Sequence, residues 1–289
     1  MKPVLITGGA GSVGRQLAGM LLSDNIPVRI FDLPFMDFEG LEGESNVEIF
    51  KGDITDPESV KKAVDGVRCV LHLAAILPPN SEKDRDFTFK VNVEGTQNIL
   101  SSMKEVAEDA TIVFTSSIST YGDTSKEKDP VTVDHSQKAI DVYADSKIAG
   151  EKLVISSGVK YVVLRIASIA VPAFIEPADP WPFTAEQKVE MVHRDDVADA
   201  IRNSVDAEAA VGNVFNIAGG DTWRHNGQKY VEDFFTFMGA PVDLANYRET
   251  SGWNHWYDTE ESQSILKYQN RSYEYYSDQM RKIVEDMMS

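Results

Sequence analysis

The chain has 289 residues, enough to bury one large α/β domain or one domain with a small cap. Its formal net charge of −18 argues against nucleic acid or an anionic membrane as partner and describes a well-solvated acidic surface, which salt adaptation would also produce. One cysteine, Cys69, precludes an intrachain disulfide and, lying in an apolar run, reads as a buried thiol. No apolar segment precedes the first strand, and no later stretch reaches membrane-spanning length, so a cytoplasmic protein is expected.

Val4, Leu5 and Ile6 form a short apolar run, the pattern of a strand buried on both faces. Thr7-Gly8-Gly9-Ala10-Gly11-Ser12-Val13-Gly14 follows, after which Val13, Leu17, Met20 and Leu21 recur at helical spacing. A strand that enters a helix through glycines leaves unpaired N–H groups at the helix start, where the peptide dipoles favour an anion. Gly8, Gly11 and Gly14 permit a tight turn, close approach of a phosphate and close helix–strand packing. With Ser12 and Val13 they form a candidate pyrophosphate cradle, spaced G-x-x-G-x-x-G, one residue longer at the front than the usual dinucleotide fingerprint. The next strand, Val28 to Phe31, leads to Asp32, placed to accept hydrogen bonds from adenosine ribose hydroxyls. A strand-end Asp capping a loop is the plain alternative. An anion there repels a 2′-phosphate and favours NAD over NADP, while Arg15 and Arg29 pull the other way as possible receivers of that phosphate.

Further along, Val47–Lys51 reads as a strand, and Asp56-Pro57-Glu58 as an N-cap with Pro at the first helical position of a helix ending near Val64. A strand over Val67–Leu73, a helix over roughly Asp84–Ala107, a strand over Thr111–Thr115, a helix over Val142–Ser156 and a strand over Val159–Arg165 follow. Asp195 or Asp196 is placed to cap a helix around Val197–Ser204, and Val214–Ile217 reads as the final short strand. This alternation predicts an α/β fold: a Rossmann-type doubly wound parallel sheet with a small C-terminal substrate-binding cap.

Tyr143 and Lys147 are four residues apart, so on a helix both face one side. A phenol titrates near pH 10, too high for a base at neutral pH, and a neighbouring ammonium together with an oxidised nicotinamide would lower it. The phenolate then takes a proton from a substrate hydroxyl whose carbon gives hydride to the cofactor. Taken alone, Y-x-x-x-K occurs freely by chance, and an ordinary exposed Tyr and Lys is much the commoner reading. Ser116-Ser117-Ile118-Ser119-Thr120-Tyr121-Gly122 follows the fifth strand at the carboxyl edge, where ligands bind in open α/β sheets. A Ser there holds a substrate oxygen as its charge changes, although most of these hydroxyls fit a polar loop satisfying its own backbone.

The set formed by Thr7–Gly14, Asp32, Gly52-Asp53-Ile54, His72-Leu73-Ala74-Ala75, Val91-Asn92-Val93-Glu94-Gly95-Thr96, Phe114–Gly122 and Tyr143–Lys147 resembles the extended short-chain dehydrogenases/reductases, of the NAD-dependent epimerase/dehydratase group. The resemblance runs from Lys2 to about Arg165 and resumes at Val192–Ala198 and Phe215–Gly220. It implies that Tyr143 is the acid/base, that Lys147 tunes it and binds the nicotinamide ribose, and that Ser117 holds the reacting oxygen. It further implies that Asp53 and Ile54 meet adenine, that Ala74 and Ala75 line the cofactor groove, and that Asn92 supports the Lys. A homodimer through the Asp84–Ala107 and Val142–Ser156 helices is implied as well. His72 and His193 lie inside family-like segments without Cys, Asp or Glu at ligand spacing, so structural roles and no metal are expected.

The departures bear on substrate. Where nucleotide-sugar enzymes of the family carry an Asn-containing turn with Tyr-Gly-Pro, this chain reads Ile166-Ala167-Ser168-Ile169-Ala170-Val171-Pro172. Ser117-Ile118-Ser119 stands where a sugar dehydratase needs Thr-Asp-Glu, which disfavours dehydration. Residues 1–165, completed by parts of 192–217, are expected to form the NAD-binding domain, and 166–191 with 218–289 the substrate-binding region. The aromatics after Asp221 fit the packing of a small helical cap better than sugar stacking. Trp181, between Pro180 and Pro182, is the best single candidate for substrate contact. The expected activity is NAD-dependent hydride transfer at a secondary alcohol of a sugar-like small molecule. A (nucleotide-)sugar epimerase of carbohydrate metabolism is slightly preferred to a dehydrogenase or reductase of a small sugar, sugar acid or other hydroxy compound. A non-catalytic NAD-sensing module is the remote alternative.

Overall fold

The computed structural model describes residues 1–174 and 176–288. Ile175 and Ser289, both inside the stretches expected to form the substrate-binding region, lie outside the described residues. The elements are, in order, β1 (Val4–Thr7), α1 (Ser12–Ser23), β2 (Val28–Asp32), β3 (Val47–Lys51), α2 (Pro57–Val64), β4 (Cys69–His72), α3 (Arg85–Phe89), α4 (Gly95–Val106), β5 (Thr111–Ser117) and α5 (Val142–Ser156). They continue with β6 (Lys160–Ile166), β7 (Ser168–Ala170), β8 (Lys188–His193), α6 (Arg194–Ser204), β9 (Asn213–Ile217), β10 (Arg224–Asn226), α7 (Gly227–Phe237), α8 (Glu260–Leu266) and α9 (Tyr273–Met288).

Apolar runs at β1 and β4 are buried along their whole length because each lies inside the sheet. Seven strands are ordered β3-β2-β1-β4-β5-β6-β9. β1 pairs in parallel with β2 and β4, β2 with β3, and β4 with β5. The chain therefore winds outward from β1 in both directions, and the order reverses between β1 and β4. This is the doubly wound Rossmann-type fold, and that reversal is where such sheets open a crevice at their carboxyl edge. Leu5, Val70, Ile112 and Val163 from the strands and Val60, Ile99, Met103 and Val154 from α2, α4 and α5 close one apolar core.

Chain proximity divides the protein into two compact units. One comprises Met1–Ser117, Ala139–Leu164 and Ile201–Val214; the other comprises Ile118–Lys138, Arg165–Ala200 and Phe215–Ser289. The second contains a three-stranded sheet ordered β10-β8-β7, antiparallel between β10 and β8 and parallel between β7 and β8. β7 and β10 have three residues each, too few for alternation to announce them. Around them Trp181, Phe183, Trp223, Tyr230, Phe234, Tyr273 and Tyr276 form an aromatic core. Edge-to-face contacts such as Trp223–Tyr273, 5.3 Å between centroids at 73°, suit the ring quadrupoles.

Several boundaries differ from expectation, each for a local reason. Val67 still belongs to the turn before β4, its N–H bonded back to the Val64 carbonyl. β6 starts at Lys160 because the Val159 N–H is taken by the Ser157 hydroxyl. β5 runs on to Ser117, so Ser116 and Ser117 are strand and not loop. The helix expected over Asp84–Ala107 contains a π-helical turn, Lys90–Glu94, between α3 and α4. Neither Asp195 nor Asp196 caps α6, which begins one residue earlier at Arg194. His193 Nδ1 accepts the Asp195 N–H at 3.1 Å, and buried Asp196 instead receives the backbone N–H groups of Asn270 and Arg271 and the Arg271 guanidinium. β9 is followed by β10, so it is not the last strand.

Candidate active site

Thr7 ends β1 and hands the chain to the glycine turn at the sheet's reversal point. Gly8 has φ +71°, and a Cβ there would stand 3.1 Å from the Ala74 amide nitrogen at the end of β4. The two strand ends thus approach with room for backbone only. Asp32, at the end of β2, fastens the turn: one carboxylate oxygen accepts the Ala10 N–H at 3.0 Å and the other the Leu33 N–H at 2.8 Å. A carboxylate has about four lone-pair sites, so acceptor capacity remains.

Gly8, Gly11, Asp32, Asp53, Ile54, Ala74 and Ala75 line one cavity of about 480 Å³. Ser12, Val13 and Gly14 lie beside it at the start of α1 and do not line it. Its other walls include Phe35, Met36 and Phe87, which the sequence reading missed. Phe35 and Phe87 are exposed although large and apolar, and that burial state is the signal that picks them out. Arg15 points away from a phosphate role, its guanidinium donating to the carbonyls of Ala10, Glu39 and Asp37. Arg29 is likewise spent on Glu48 and on the carbonyls of Ala63 and Asp65.

A chain of hydrogen bonds underlies this cavity. The Ala74 N–H donates to the Thr7 hydroxyl (3.2 Å), and Thr7 Oγ1 bonds His72 Nδ1 (2.8 Å). His72 Nε2 bonds Thr96 Oγ1 (2.9 Å), whose own hydrogen goes to the Asn92 carbonyl (2.7 Å). Since Thr96 is already a donor, His72 carries its hydrogen on Nε2. Burial, helped by the Lys147 charge, drops the imidazole to about 3, so it stays neutral. Asn92 sits in the π-helical turn. Its Oδ1 accepts the Ile76 N–H (2.7 Å), and its Nδ2 donates to the Ile76 carbonyl and to the Ser146 hydroxyl. Asn92 therefore reaches the residue beside Lys147 and not the lysine itself.

α5 presents Tyr143 and Lys147 because Asp141 caps its first turn, accepting the Ala144 N–H at 2.7 Å. Lys147 is only 4% exposed, and its Nζ donates to the Thr115 carbonyl at 2.8 Å. This bond ties α5 to β5 two residues before Ser117. Lys147 Nζ stands 5.7 Å from the Tyr143 ring centroid. Burial brings Lys147 down to about 8, opposed by the Glu151 charge. For Tyr143 the direction is opposite to that expected from a lysine neighbour. Burial and the Asp141 charge raise the phenol above its ordinary value, since the ammonium is turned toward Thr115. In this state the Tyr143 phenol keeps its proton at neutral pH.

Glu82, which the sequence reading passed over, accepts the Val142 N–H at 2.9 Å and the Tyr143 N–H at 3.1 Å, clamping the start of α5. Burial pulls its carboxyl upward, but the Val142 N–H, the Ser81 hydroxyl and the Tyr143 N–H outweigh that and hold it below the usual range. A group depressed in the folded state contributes stability above its unfolded pKa and loses it as pH falls through the folded one. Glu82→Gln is expected to cost no more than about 0.3–1 kcal/mol at neutral pH, solvent screening of this exposed carboxylate included, and the gap to wild type narrows as acid protonates Glu82. Thermal unfolding at neutral and acid pH checks it.

Trp181 is 8% exposed, packs against Phe183 and Phe234, and lines a second cavity of about 240 Å³. His193 is buried and bonded to Gln279, a structural placement. Cys69 is buried, and burial pushes its thiol up to about 12. Among the described residues no group of three or more His, Cys, Asp or Glu is arranged to hold a metal, and no helix is long and apolar enough to cross a membrane.

A glycine turn at the reversal point, an acidic β2 end and a Tyr/Lys pair beside the end of β5 define an extended short-chain dehydrogenase/reductase. The sequence profile of the 3-beta hydroxysteroid dehydrogenase/isomerase family matches residues 5–164, and the chain belongs to that family. It is 36% identical over 128 residues, 41% of this chain and 40% of the relative, to D-erythronate dehydrogenase from Cupriavidus necator. The chain spans about two fifths of the length of the curated relatives it matches. A short-chain dehydrogenase/reductase superfamily protein from Agrobacterium tumefaciens, solved with bound NAD, is similar over 99% of this chain and 96% of that one, with TM-score 0.79 and 22% identity. UDP-glucose 4-epimerase from Thermotoga maritima gives TM-score 0.81 at 20% identity over 99% and 100% of the chains. At such identities these likenesses establish the fold.

Proposed function

We propose that this chain is an NAD-dependent oxidoreductase acting at a secondary alcohol of a small hydroxy compound. One observation carries it: a cavity at the reversal point whose wall combines a turn closed to side chains, the Asp32 carboxylate and the ends of β1 and β4. The residues fit a dinucleotide. Gly8, Gly11, Ser12 and Val13 receive the pyrophosphate, and Gly14 lets α1 close against the turn. Asp32 accepts from the adenosine ribose, Asp53 and Ile54 meet adenine, and Ala74 and Ala75 line the groove, with Asn92 bracing the loop after β4. Tyr143 and Lys147 hold the nicotinamide ribose. Bound NAD supplies the hydride acceptor, or its reduced form the donor.

Ser117 holds the substrate oxygen, and the Tyr143 phenol moves a proton to or from it. A protonated Tyr143 suits delivery of that proton to a ketone. Taking one from an alcohol requires positive charge to come close enough to lower the phenol, which is the part of the Lys147 ammonium. The preference for epimerisation gives way here to net oxidation or reduction, because D-erythronate dehydrogenase is the kind of relative supported by sequence identity and not by fold alone. A sugar acid is accordingly the first substrate class to test. A homodimer along α4 and α5, implied by the family resemblance, belongs to the same proposal.

With Asp32 facing the cavity and both arginines engaged elsewhere, NAD should bind at least about tenfold tighter than NADP in calorimetric titration. A screen of sugar acids, monosaccharides and hydroxysteroids should then yield NADH in step with product. Tighter binding of NADP, or interconversion of epimers without net NADH, overturns the proposal.

A further inference from the structure

The buried face of α5 carries two charged side chains one helical turn apart: Lys147, and Glu151, which is 1% exposed. Charges withdrawn from water are costly unless something compensates them. Each of the two is tied to β5. The Lys147 ammonium donates to the Thr115 carbonyl, and the Ser116 hydroxyl donates to the Glu151 carboxylate. Thr115, Ser116 and Ser117 are consecutive, so these two bonds fasten the strand end that carries Ser117 to the helix that carries Tyr143.

The surroundings of Lys147 are otherwise poor in negative charge. His72 on β4 is buried and neutral, Tyr143 on the same helix is a protonated phenol, and Phe114 on β5 offers only its ring face, 5.1 Å from Nζ. Among the described residues Glu151 is the anion that acts on the ammonium, and it opposes the effect of burial. Ser116 is itself buried, so water does not screen the pair from that side.

We propose that Glu151 is a positioning residue whose carboxylate keeps the Lys147 ammonium charged and, through Ser116, sets where Ser117 stands against α5. It rests on the proposed role of Lys147 in lowering the Tyr143 phenol, but its test does not use turnover.

The lysine ¹⁵Nζ signal of Lys147, identified by its loss in Lys147→Arg, is titrated in NAD-free wild type and in Glu151→Gln. The Gln variant keeps the size and an acceptor for Ser116 and removes the charge. The Lys147 midpoint should fall by about one pH unit or more, with unchanged circular dichroism. A folded variant whose midpoint stays in place overturns the proposal and makes Glu151 a neutral strut. If Glu151→Gln does not fold, the wild-type ¹³C carboxyl shift of Glu151 decides: an ionised carboxylate at neutral pH supports the proposal, and a protonated one overturns it. Once a substrate is in hand, the alkaline limb of the kcat profile in Glu151→Gln should move to lower pH by the same interval. Failure of hydride transfer itself is read separately, from Tyr143→Phe.

Discussion

Tyr143→Phe should lower turnover by about 10²- to 10⁴-fold while NAD still binds, weakened by no more than about tenfold for one lost ribose hydrogen bond. The ring remains half-buried on α5, and the Lys147 bond to Thr115 does not involve the phenol oxygen. The loss should fall on kcat more than on KM, as expected for a group whose contribution is greatest in the transition state. Steady-state kinetics with the substrate found in the screen, alongside calorimetric titration of NAD, checks both halves. An unchanged kcat would leave the chain as a dinucleotide-binding module and remove the acid–base role.

Gly14→Ala should damage fold and cofactor site together. A Cβ at Gly14 would stand 2.6 Å from the Gly9 Cα and 2.7 Å from the carbonyl oxygens of Gly8 and Gly9. All three are backbone atoms of the turn itself, so no flexible side chain can yield, and α1 must move off the turn. Overpacking of this kind costs about 1–3 kcal/mol. Because displaced N–H groups no longer converge on an anion, NAD affinity should fall at least about tenfold as well. Gly19, on the same helix, is the control: a Cβ there meets nothing within 4 Å. Gly19→Ala should therefore stabilise by about 0.5–1 kcal/mol through helix propensity. Thermal unfolding and NAD titration of the two variants separate crowding from mere loss of a glycine. Equal behaviour of the two would show that the close approach at Gly14 is unimportant.

Much of the first unit was legible because its signals are local. The apolar run of β1, the glycines after it and Asp56-Pro57 at the start of α2 each report a conformation chosen by neighbouring residues. The second unit was less legible. β7 and β10 have three residues each, too few to show alternation, and exist because β8 lies between them. Trp181, between two prolines in the sequence, packs with the rings of Phe183 and Phe234 on the wall of the smaller cavity. Only long-range packing could say so.

The site divides the same way. Sequence alone determined the glycine turn, Asp32, and Tyr143 and Lys147 on one helix face, since backbone freedom, charge at a strand end and helical period are properties of short stretches. Tertiary structure decided what those groups experience. It turned Lys147 toward Thr115, raised Tyr143 by burial, occupied Arg15 and Arg29 with other partners, and brought Glu82 and Ser116 to α5 from elsewhere in the chain. Proton affinity depends on desolvation and on charges a few ångströms away in space, and the order of residues along the chain does not encode those distances directly.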